Sequence, residues 1–511
     1  MAEETTTSPQ PFTGPMLGLV TVGISLAAFM NVLDSTIAVV ALPSMSGSLA
    51  ATPSQGSWVL TIYSVCLAVS LPLSGWLAQQ FGQVRSFLWA VVLFTICSWL
   101  CASATNFNEM LVYRALQGLS GGVLLPFSQS LLLRIYPPEK HGLALGFWGL
   151  SAAVAPVMGP VLGGVITDSL GWPWIFYINL PIGGVCVAIT YFMLKDRESP
   201  TLKRPVDSVG LLSLVLGVVC VQLALDRGHE LDWLASSVVR GLFALGACSI
   251  VFFLIWERDQ EHPIVDLSLF SYRDFSLGAV MTGLFYGVFI VVAVIYPLWM
   301  QTTLGYTPSA AGWVMATTSL FPLVTMGLIG NWLRAQNLQW TVMLGLCTMA
   351  VVILAHGLMT IQVSSQYLTT IRFLVGAAMP FLWVPLQMIT LGSIPMEKMA
   401  SATGLSNFVR MLSSSLATAM GITLWDERAI VHRADLVENL SMPDFQGAIA
   451  TSPGAHGGLN TPENLEVLEL LVSQQARTRA QQDVYIVGAT ILLSMVLLVG
   501  FLPKNVSRGA T

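Results

Sequence analysis

Residues Met16–Leu42 read MLGLVTVGISLAAFMNVLDSTIAVVAL. These 27 residues carry one charge, Asp34. A helix needs about 20 apolar residues to cross a hydrocarbon core. The stretch therefore reads as a membrane-spanning helix with a carboxylate inside it. Similar apolar runs recur between polar breaks. They place fourteen spans at 16–42, 56–78, 86–104, 109–133, 143–166, 174–194, 207–225, 235–256, 275–299, 311–333, 340–361, 367–390, 400–425 and 482–502.

Composition agrees with that reading. Only 10% of the 511 residues are Asp, Glu, Lys or Arg, against about 25% in soluble domains. Hydrophobic residues make up 54%, and mean hydropathy is +0.72. A soluble enzyme or a disordered chain needs more charge, and a net charge of −5 offers no basic face to nucleic acid. No Gly-Lys pair occurs, so there is no Walker A loop for nucleotide. All seven cysteines fall inside apolar runs without His or carboxylate company, which points to no metal, cofactor or disulfide framework. Residues 1–15 contain Glu3 and Glu4 but no Lys or Arg, so they read as a short tail and not a signal peptide.

Charge asymmetry sets the orientation. With the N-terminus in the cytoplasm, Arg85, Arg134, Lys140, Lys195, Arg197, Lys203, Arg204, Arg258, Arg273, Arg334, Lys398, Lys504 and Arg508 are cytoplasmic. The short outer loops keep Arg227, with Arg240 near an outer span end. This is the positive-inside pattern, and it makes both termini cytoplasmic. Residues 426–481 form a long outer loop, with a turn region at Ser452–Pro462. A helix follows, capped by Thr461, with Leu465, Leu468 and Leu471 on one face.

The chain also repeats itself. Arg114-Ala-Leu-Gln-Gly118 matches Arg372-Phe-Leu-Val-Gly376, and Gly75-Trp-Leu77 matches Gly330-Asn-Trp-Leu333. The matches imply two six-helix halves around two inserted spans, an arrangement suited to a transporter. The expected organisation is a tail at 1–15, a first bundle at 16–194, an insert with its flanking loops at 195–274, a second bundle at 275–502 and a tail at 503–511. The fold class is thus an all-α polytopic membrane protein with a 6 + 2 + 6 arrangement.

Asp34 is the main chemical clue, because an intramembrane carboxylate is costly and marks function. Asn31, Asp34 and Ser35 share a helix face, expected to line a cavity. A carboxyl whose surroundings alternate between dry and hydrated loads and releases a proton. A structural hydrogen bond between helices is the plainer alternative. Arg114 needs a partner inside the membrane, and Asp34 is the natural one; backbone carbonyls are the other choice. Gln117 and Gly118 follow it. Gly146, Pro156, Gly159, Pro160, Gly163 and Gly164 make the fifth span a bent, closely packed hinge or gate. Arg372 and Arg410 are further intramembrane charges, and His356 is a titratable group, more often structural. Trp299, Trp313, Phe321, Phe381 and Trp383 can build an aromatic pocket, with Trp299 and Trp313 also suited to the interfacial belt. The expected substrate contacts are Asn31, Asp34, Gln117, Phe381 and Trp383.

These motifs resemble the EmrB/QacA branch of fourteen-helix drug:proton antiporters in the major facilitator superfamily. Leu33-Asp-Ser-Thr-Ile37 with Ala41-Leu-Pro43 is similar to the branch's span-one motif, and Arg114…Gly118 to the span-four motif for proton transfer. Gly159-Pro-Val-Leu-Gly-Gly164 resembles the span-five antiporter motif, and Trp172-Pro-Trp-Ile-Phe-Tyr-Ile-Asn-Leu-Pro-Ile-Gly183 is highly specific to the branch. The stretches Asp207…Gly210, Leu225–Trp233 and Pro263–Phe270 resemble the EmrB subgroup. The chain departs from the superfamily at Gln79, where an acidic residue is usual, and at Val39 and Ala155.

The resemblance implies a proton-coupled antiporter that exports hydrophobic or amphiphilic drugs by alternating access. Asp34 and Arg114 would couple the proton. It also implies a multi-pass protein of the bacterial inner membrane, with lipid around it. An EmrA-type periplasmic adaptor and an outer-membrane channel would be its partners. The alternatives are an exporter of one amphiphilic metabolite and, more distantly, a non-transporting receptor. A membrane enzyme would need clustered His, Asp or Cys within the spans, and these are absent from the sequence.

Overall fold

The computed structural model describes Phe12 and residues 14–51, 53–202, 207–228, 230–260, 263–333, 337–438 and 462–503. Every regular element among them is helical. The first six long helices are α1 (Gly14–Ser48), α2 (Trp58–Ser70 and Ser74–Phe81), α3 (Gln83–Ala102), α4 (Phe107–Gly122 and Leu124–Ile135), α5 (His141–Leu170) and α6 (Trp174–Leu194). Two more follow, α7 (Ser208–Gly228) and α8 (Ser237–Arg258). The last six are α9 (Arg273–Thr302), α10 (Pro308–Ala316 and Leu320–Leu333), α11 (Leu338–His356), α12 (Ser365–Gly392), α13 (Met399–Glu438) and α14 (Pro462–Val499).

A helix thus occupies each of the fourteen expected stretches. By length and apolarity alone, nine of the described helices can cross a membrane, or eleven when the two bent pairs count as single spans. The helices left over are α4, α10 and α13. Two of these carry buried polar groups, Arg114 and Gln129 on α4 and Asn407 and Arg410 on α13. Such side chains face other helices instead of lipid, so sequence apolarity understates the fit.

The expected 426–481 loop is a correction. α13 runs on to Glu438, about 20 Å beyond residue 425, and α14 already begins at Pro462. The helix expected near Leu465 is therefore the start of the last span. Arg433 pairs with Glu469, and Arg428 and His432 both reach Asp483. Trp425 Nε1 donates to Arg477 O at 3.0 Å. These contacts hold the two helices together past their apolar parts. The turn region and Thr461 lie outside the described residues. The expected span at 340–361 also ends early, at His356.

Helices α1–α6 pack mainly among themselves, as do α9–α14. The α7–α8 hairpin lies beside both groups. Gln222 Nε2 donates to Ser415 Oγ at 3.1 Å, Trp233 Nε1 donates to Thr423 Oγ1 at 2.8 Å, and Arg227 lies 4.4 Å over the Trp58 ring.

The two groups meet along α5 and α10, with Gly312 against Val161, and again where α2, α4 and α12 finish and α13 starts. Arg85, Arg134 and Lys398 mark this basic end. Ser74 Oγ donates to Ala400 O, Thr403 Oγ1 to Pro126 O, Gln129 Nε2 to Gln387 Oε1 and Asn407 Nδ2 to Gln129 Oε1, at 2.8–3.2 Å. Trp148 of α5 stacks on Trp383 of α12 with ring centres 5.9 Å apart. Residues 402–407 of α13 are buried, while residues 411–420 are half-buried or exposed. The halves are therefore closed together at the basic end and looser beyond Arg410.

Gly75 sets this closure. A Cβ there meets the Ser401 Cα at 2.8 Å, and backbone cannot swing away. Gly75→Val is expected to disfavour the closed basic end. A cysteine placed at Thr403, buried and bonded across the seam to Pro126 O, should then react several-fold faster with a membrane-impermeant maleimide added from that side. An unchanged rate would contradict the closure.

Candidate functional site

Asp34 sits on α1, 14 residues before its end at Ser48. Three helices bring donors and rings to the pair it forms, and a fourth, α3, supports them through Ser98. From α4, Arg114 Nη1 lies 2.6 Å from Asp34 Oδ2, and both side chains are fully buried. Gln117, one turn on, donates Nε2 to Asp34 Oδ1 at 2.9 Å and accepts from Arg114 Nη1 at 2.8 Å. From α6, Asn179 Nδ2 donates to Asp34 Oδ1 at 2.9 Å and to Ser98 Oγ of α3 at 2.8 Å. From α2, Val59 O accepts from Arg114 Nε at 3.3 Å, and the Tyr63 ring lies 4.1 Å from the guanidinium. Phe176 covers it at 5.6 Å.

Local sequence explains how α4 carries this load. Asn106 caps the helix by accepting from Glu109 N at 3.0 Å. Gly118 has no side chain where the Tyr63 carbonyl of α2 presses in, and a Cβ would also meet Cys66 Cβ at 2.9 Å. That close approach puts Val59 O within reach of Arg114. The repeat in the second half uses the same device. Gly376 packs on the Thr318 carbonyl, and Arg372 Nε donates to Thr318 Oγ1 at 3.2 Å under the Tyr296 ring.

The structure brings Asn31, Asp34, Arg114 and Gln117 together, but not around an open cavity as the sequence suggested. Asn31 Nδ2 is held by Tyr63 Oη at 3.1 Å and Gly121 O at 3.0 Å. The polar face of α1 is spent on other helices, and Ser35 on it donates to Asn31 O. The residues sequence reasoning missed are Asn179, Ser98 and Tyr63. Asn179 lies in the Trp172–Gly183 motif, so a polar amide inside an apolar run was its available signal.

The fifth helix behaves partly as expected. It bends by 50° between Pro156 and Val161. Gly159 lies against Thr36 and Gly163 against Ile37, so α1 approaches closely. Gly146 is buried. Gly164 faces open space, so the expected close packing does not extend to it. The Pro160 side chain lies outside the described residues.

The five aromatic residues do not form one pocket. Trp299 is buried and donates to Thr478 Oγ1 of α14 at 3.1 Å, which removes it from the interfacial belt. Trp313 is 65% exposed and suits that belt. Phe321 meets Phe373 edge-on at 6.0 Å. Trp383 is buried between Trp148 and Tyr286, and Phe381 is half-buried. His356 Nδ1 lies 2.8 Å from Val352 O, with the ring sandwiched by Tyr296 and Tyr485.

The acidic residue absent at Gln79 has a replacement. Glu198, from the segment after α6, accepts from Val84 N and Arg85 N at 2.9 Å. It therefore caps the N-terminus of α3, where a negative charge is favoured. Arg134 Nη2 donates to its carbonyl at 3.1 Å.

Comparison with known proteins identifies the family and the fold. The profile of the Major Facilitator Superfamily matches residues 24–418. The chain is 36% identical to the multidrug export protein EmrB of Escherichia coli K12 over 496 residues, 96% of each chain. It is also 36% identical to the fatty acid resistance protein FarB of Neisseria gonorrhoeae over 492 residues, again 96% of each. Among solved structures, the human organic anion transporter MFSD10 superposes with a TM-score of 0.58 at 13% identity. It covers 94% of this chain and 100% of that one, a likeness of fold alone.

A buried pair of this kind fails unevenly when cut. Arg114→Met strands the Asp34 carboxylate and is expected to destabilise the protein by about 3–5 kcal/mol. Adding Asp34→Asn to that variant should restore part of the loss. Thermal unfolding in detergent checks both. A double variant no more stable than Arg114→Met alone would contradict the pairing as the source of the cost.

Proposed function

Because the chain belongs to the major facilitator superfamily, we propose that it is a proton-coupled antiporter of the bacterial inner membrane, exporting hydrophobic or amphiphilic toxic compounds. The observation that carries this reading is the sealed Asp34–Arg114 pair at 2.6 Å. It is the one buried side-chain ion pair among the described residues with both partners fully enclosed. The relatives named multidrug export protein and fatty acid resistance protein support the substrate class.

The mechanism follows from charge balance. While Asp34 is ionised, it neutralises Arg114 and accepts from Gln117 and Asn179. Protonation removes that charge and leaves a guanidinium alone in a dry site, which is strongly unfavourable. The strain is relieved when α1 and α4 separate enough to hydrate or re-pair Arg114. Helices α1–α6 and α9–α14 are the two rocking bodies, and bent α5 absorbs the motion. Substrate from the cytoplasm or inner leaflet and a proton from outside compete for alternate states of Asp34. Phe381 and Trp383 contact the substrate's apolar body, while Asn31 and Gln117 position the helices around Asp34. Each proton contributes about 1.4 kcal/mol per pH unit. Each net charge moved contributes about 2.3 kcal/mol per 100 mV.

The basic end faces the cytoplasm in this reading, so the projecting ends of α13 and α14 stand on the periplasmic side. There they suit an EmrA-type adaptor leading to an outer-membrane channel.

Proteoliposomes loaded by an imposed proton gradient test the proposal. Wild type is expected to move a lipophilic fluorescent dye only with the gradient. Asp34→Asn should bind the dye but lose gradient-driven transport at least about tenfold, the cost of removing one coupled step. Transport that survives the substitution would move coupling elsewhere in the protein.

A further inference from the structure

The described residues contain three arginines enclosed within the helix bundle, and they are not balanced alike. Arg114 has Asp34. Arg372 and Arg410, both in the second half, have no carboxylate in ion-pair contact among the described residues. A guanidinium in a dry site without an anion is expensive, and its persistence calls for a use. Arg372 is 1% exposed and closed in by Thr318 and Tyr296, so nothing large reaches it.

Arg410 differs in position. It lies 11 residues into α13, about 16 Å from the basic end and near mid-membrane depth. It is the last buried residue before the half-exposed stretch 411–415, so it closes the floor of the looser region between the halves. Tyr286 lies 4.6 Å and Trp383 5.4 Å from its guanidinium carbon. Phe289, half-buried, meets Tyr286 at 6.0 Å. Arg410 Nε has no hydrogen-bond partner. Its Nη2 donates to Asn407 Oδ1 at 2.8 Å, a neutral acceptor where an anion binds better.

We infer that Arg410 is the head-group site for anionic amphiphiles, with Tyr286 and Trp383 flanking a planar or apolar body. This rests on the export reading above and names the chemical class that one of its substrate groups takes. Asn407 makes the site conformation-dependent. Its Oδ1 holds Arg410, while its Nδ2 donates to Gln129 Oε1 and Gln129 in turn donates to Gln387. The amide chain that closes the basic end therefore ends on the same guanidinium that binds the ligand. Closing the basic end places the Asn407 carboxamide where a carboxylate would sit, and the ligand is displaced toward the open side. Opening the basic end breaks the Asn407–Gln129 bond and leaves the Asn407 amide anchored only to Thr403 O of its own helix, at 2.8 Å, so the next head group displaces a carboxamide with one anchor fewer.

Equilibrium dialysis of the purified protein in neutral detergent tests the site, with 9-anthracenecarboxylate and its methyl ester as probes. Wild type should prefer the carboxylate at least about tenfold, as a charge-assisted hydrogen bond implies. Arg410→Gln should bring the two affinities within about twofold of each other, with the ester's affinity unchanged. Asn407→Ala should tighten carboxylate binding several-fold and leave the ester alone. A wild-type preference near one, or a preference that survives Arg410→Gln, overturns the inference while ester binding leaves the export reading standing. Carboxylate affinity unchanged in Asn407→Ala overturns the exchange. If neither probe binds, both readings fall.

Discussion

The contact between Asp34 and Arg114 is the constraint around which the first six helices are arranged. Two opposite charges inside a membrane bundle survive only when each is paired and hydrogen-bonded. Meeting that demand takes residues from five helices: α1 supplies the carboxylate, α4 the guanidinium and Gln117, α6 Asn179, α3 Ser98 and α2 the Val59 carbonyl. Moving any one of these helices breaks a bond inside a fully buried cluster. The cluster therefore holds together as a unit, and in the proposed mechanism one proton on Asp34 unbalances it.

The two halves repeat a helix arrangement but not its electrostatics. Arg114 and Arg372 sit at matching places, each four residues before a glycine that lets a neighbouring helix's carbonyl press in. The first is neutralised by its own protein, whereas the second meets a hydroxyl and a ring. The first half can thus respond to protons, while Arg410 of the second half, also without a carboxylate, is the group we assign to ligand charge. The amide chain through Gln129, Gln387 and Asn407 lies between them, where the halves touch. In this view coupling is mechanical: both charges act on the same closure of the basic end.

Much of this was legible before the structure. A lone Asp in a 27-residue apolar run, and an Arg followed by Gln and Gly in another, stand out because hydrocarbon makes charges conspicuous. The helical stretches were legible for the same reason. Amides were not: Asn179, Gln129 and Asn407 are polar enough to need partners but too common in helices to single out, and their partners lie up to 278 positions away. Glu198 was hidden because it replaces the carboxylate missing at Gln79 from a different segment. The helix expected from Thr461 on is the start of α14, whereas the continuation of α13 to Glu438 was hidden because hydropathy falls after residue 425 although helical hydrogen bonding continues. Trp299 was misread because a tryptophan near a span's end suits the interface and the core equally well until its Thr478 partner is seen.

The most direct test of the central claim is to count protons when substrate binds. Purified protein in lightly buffered detergent is mixed with saturating lipophilic dye, and the pH change is titrated back. If Asp34 is the group for which dye and proton compete, wild type should release up to about one proton per bound dye, and Asp34→Asn none. Equal release from both proteins would contradict the account and leave the Asp34–Arg114 pair as structure alone.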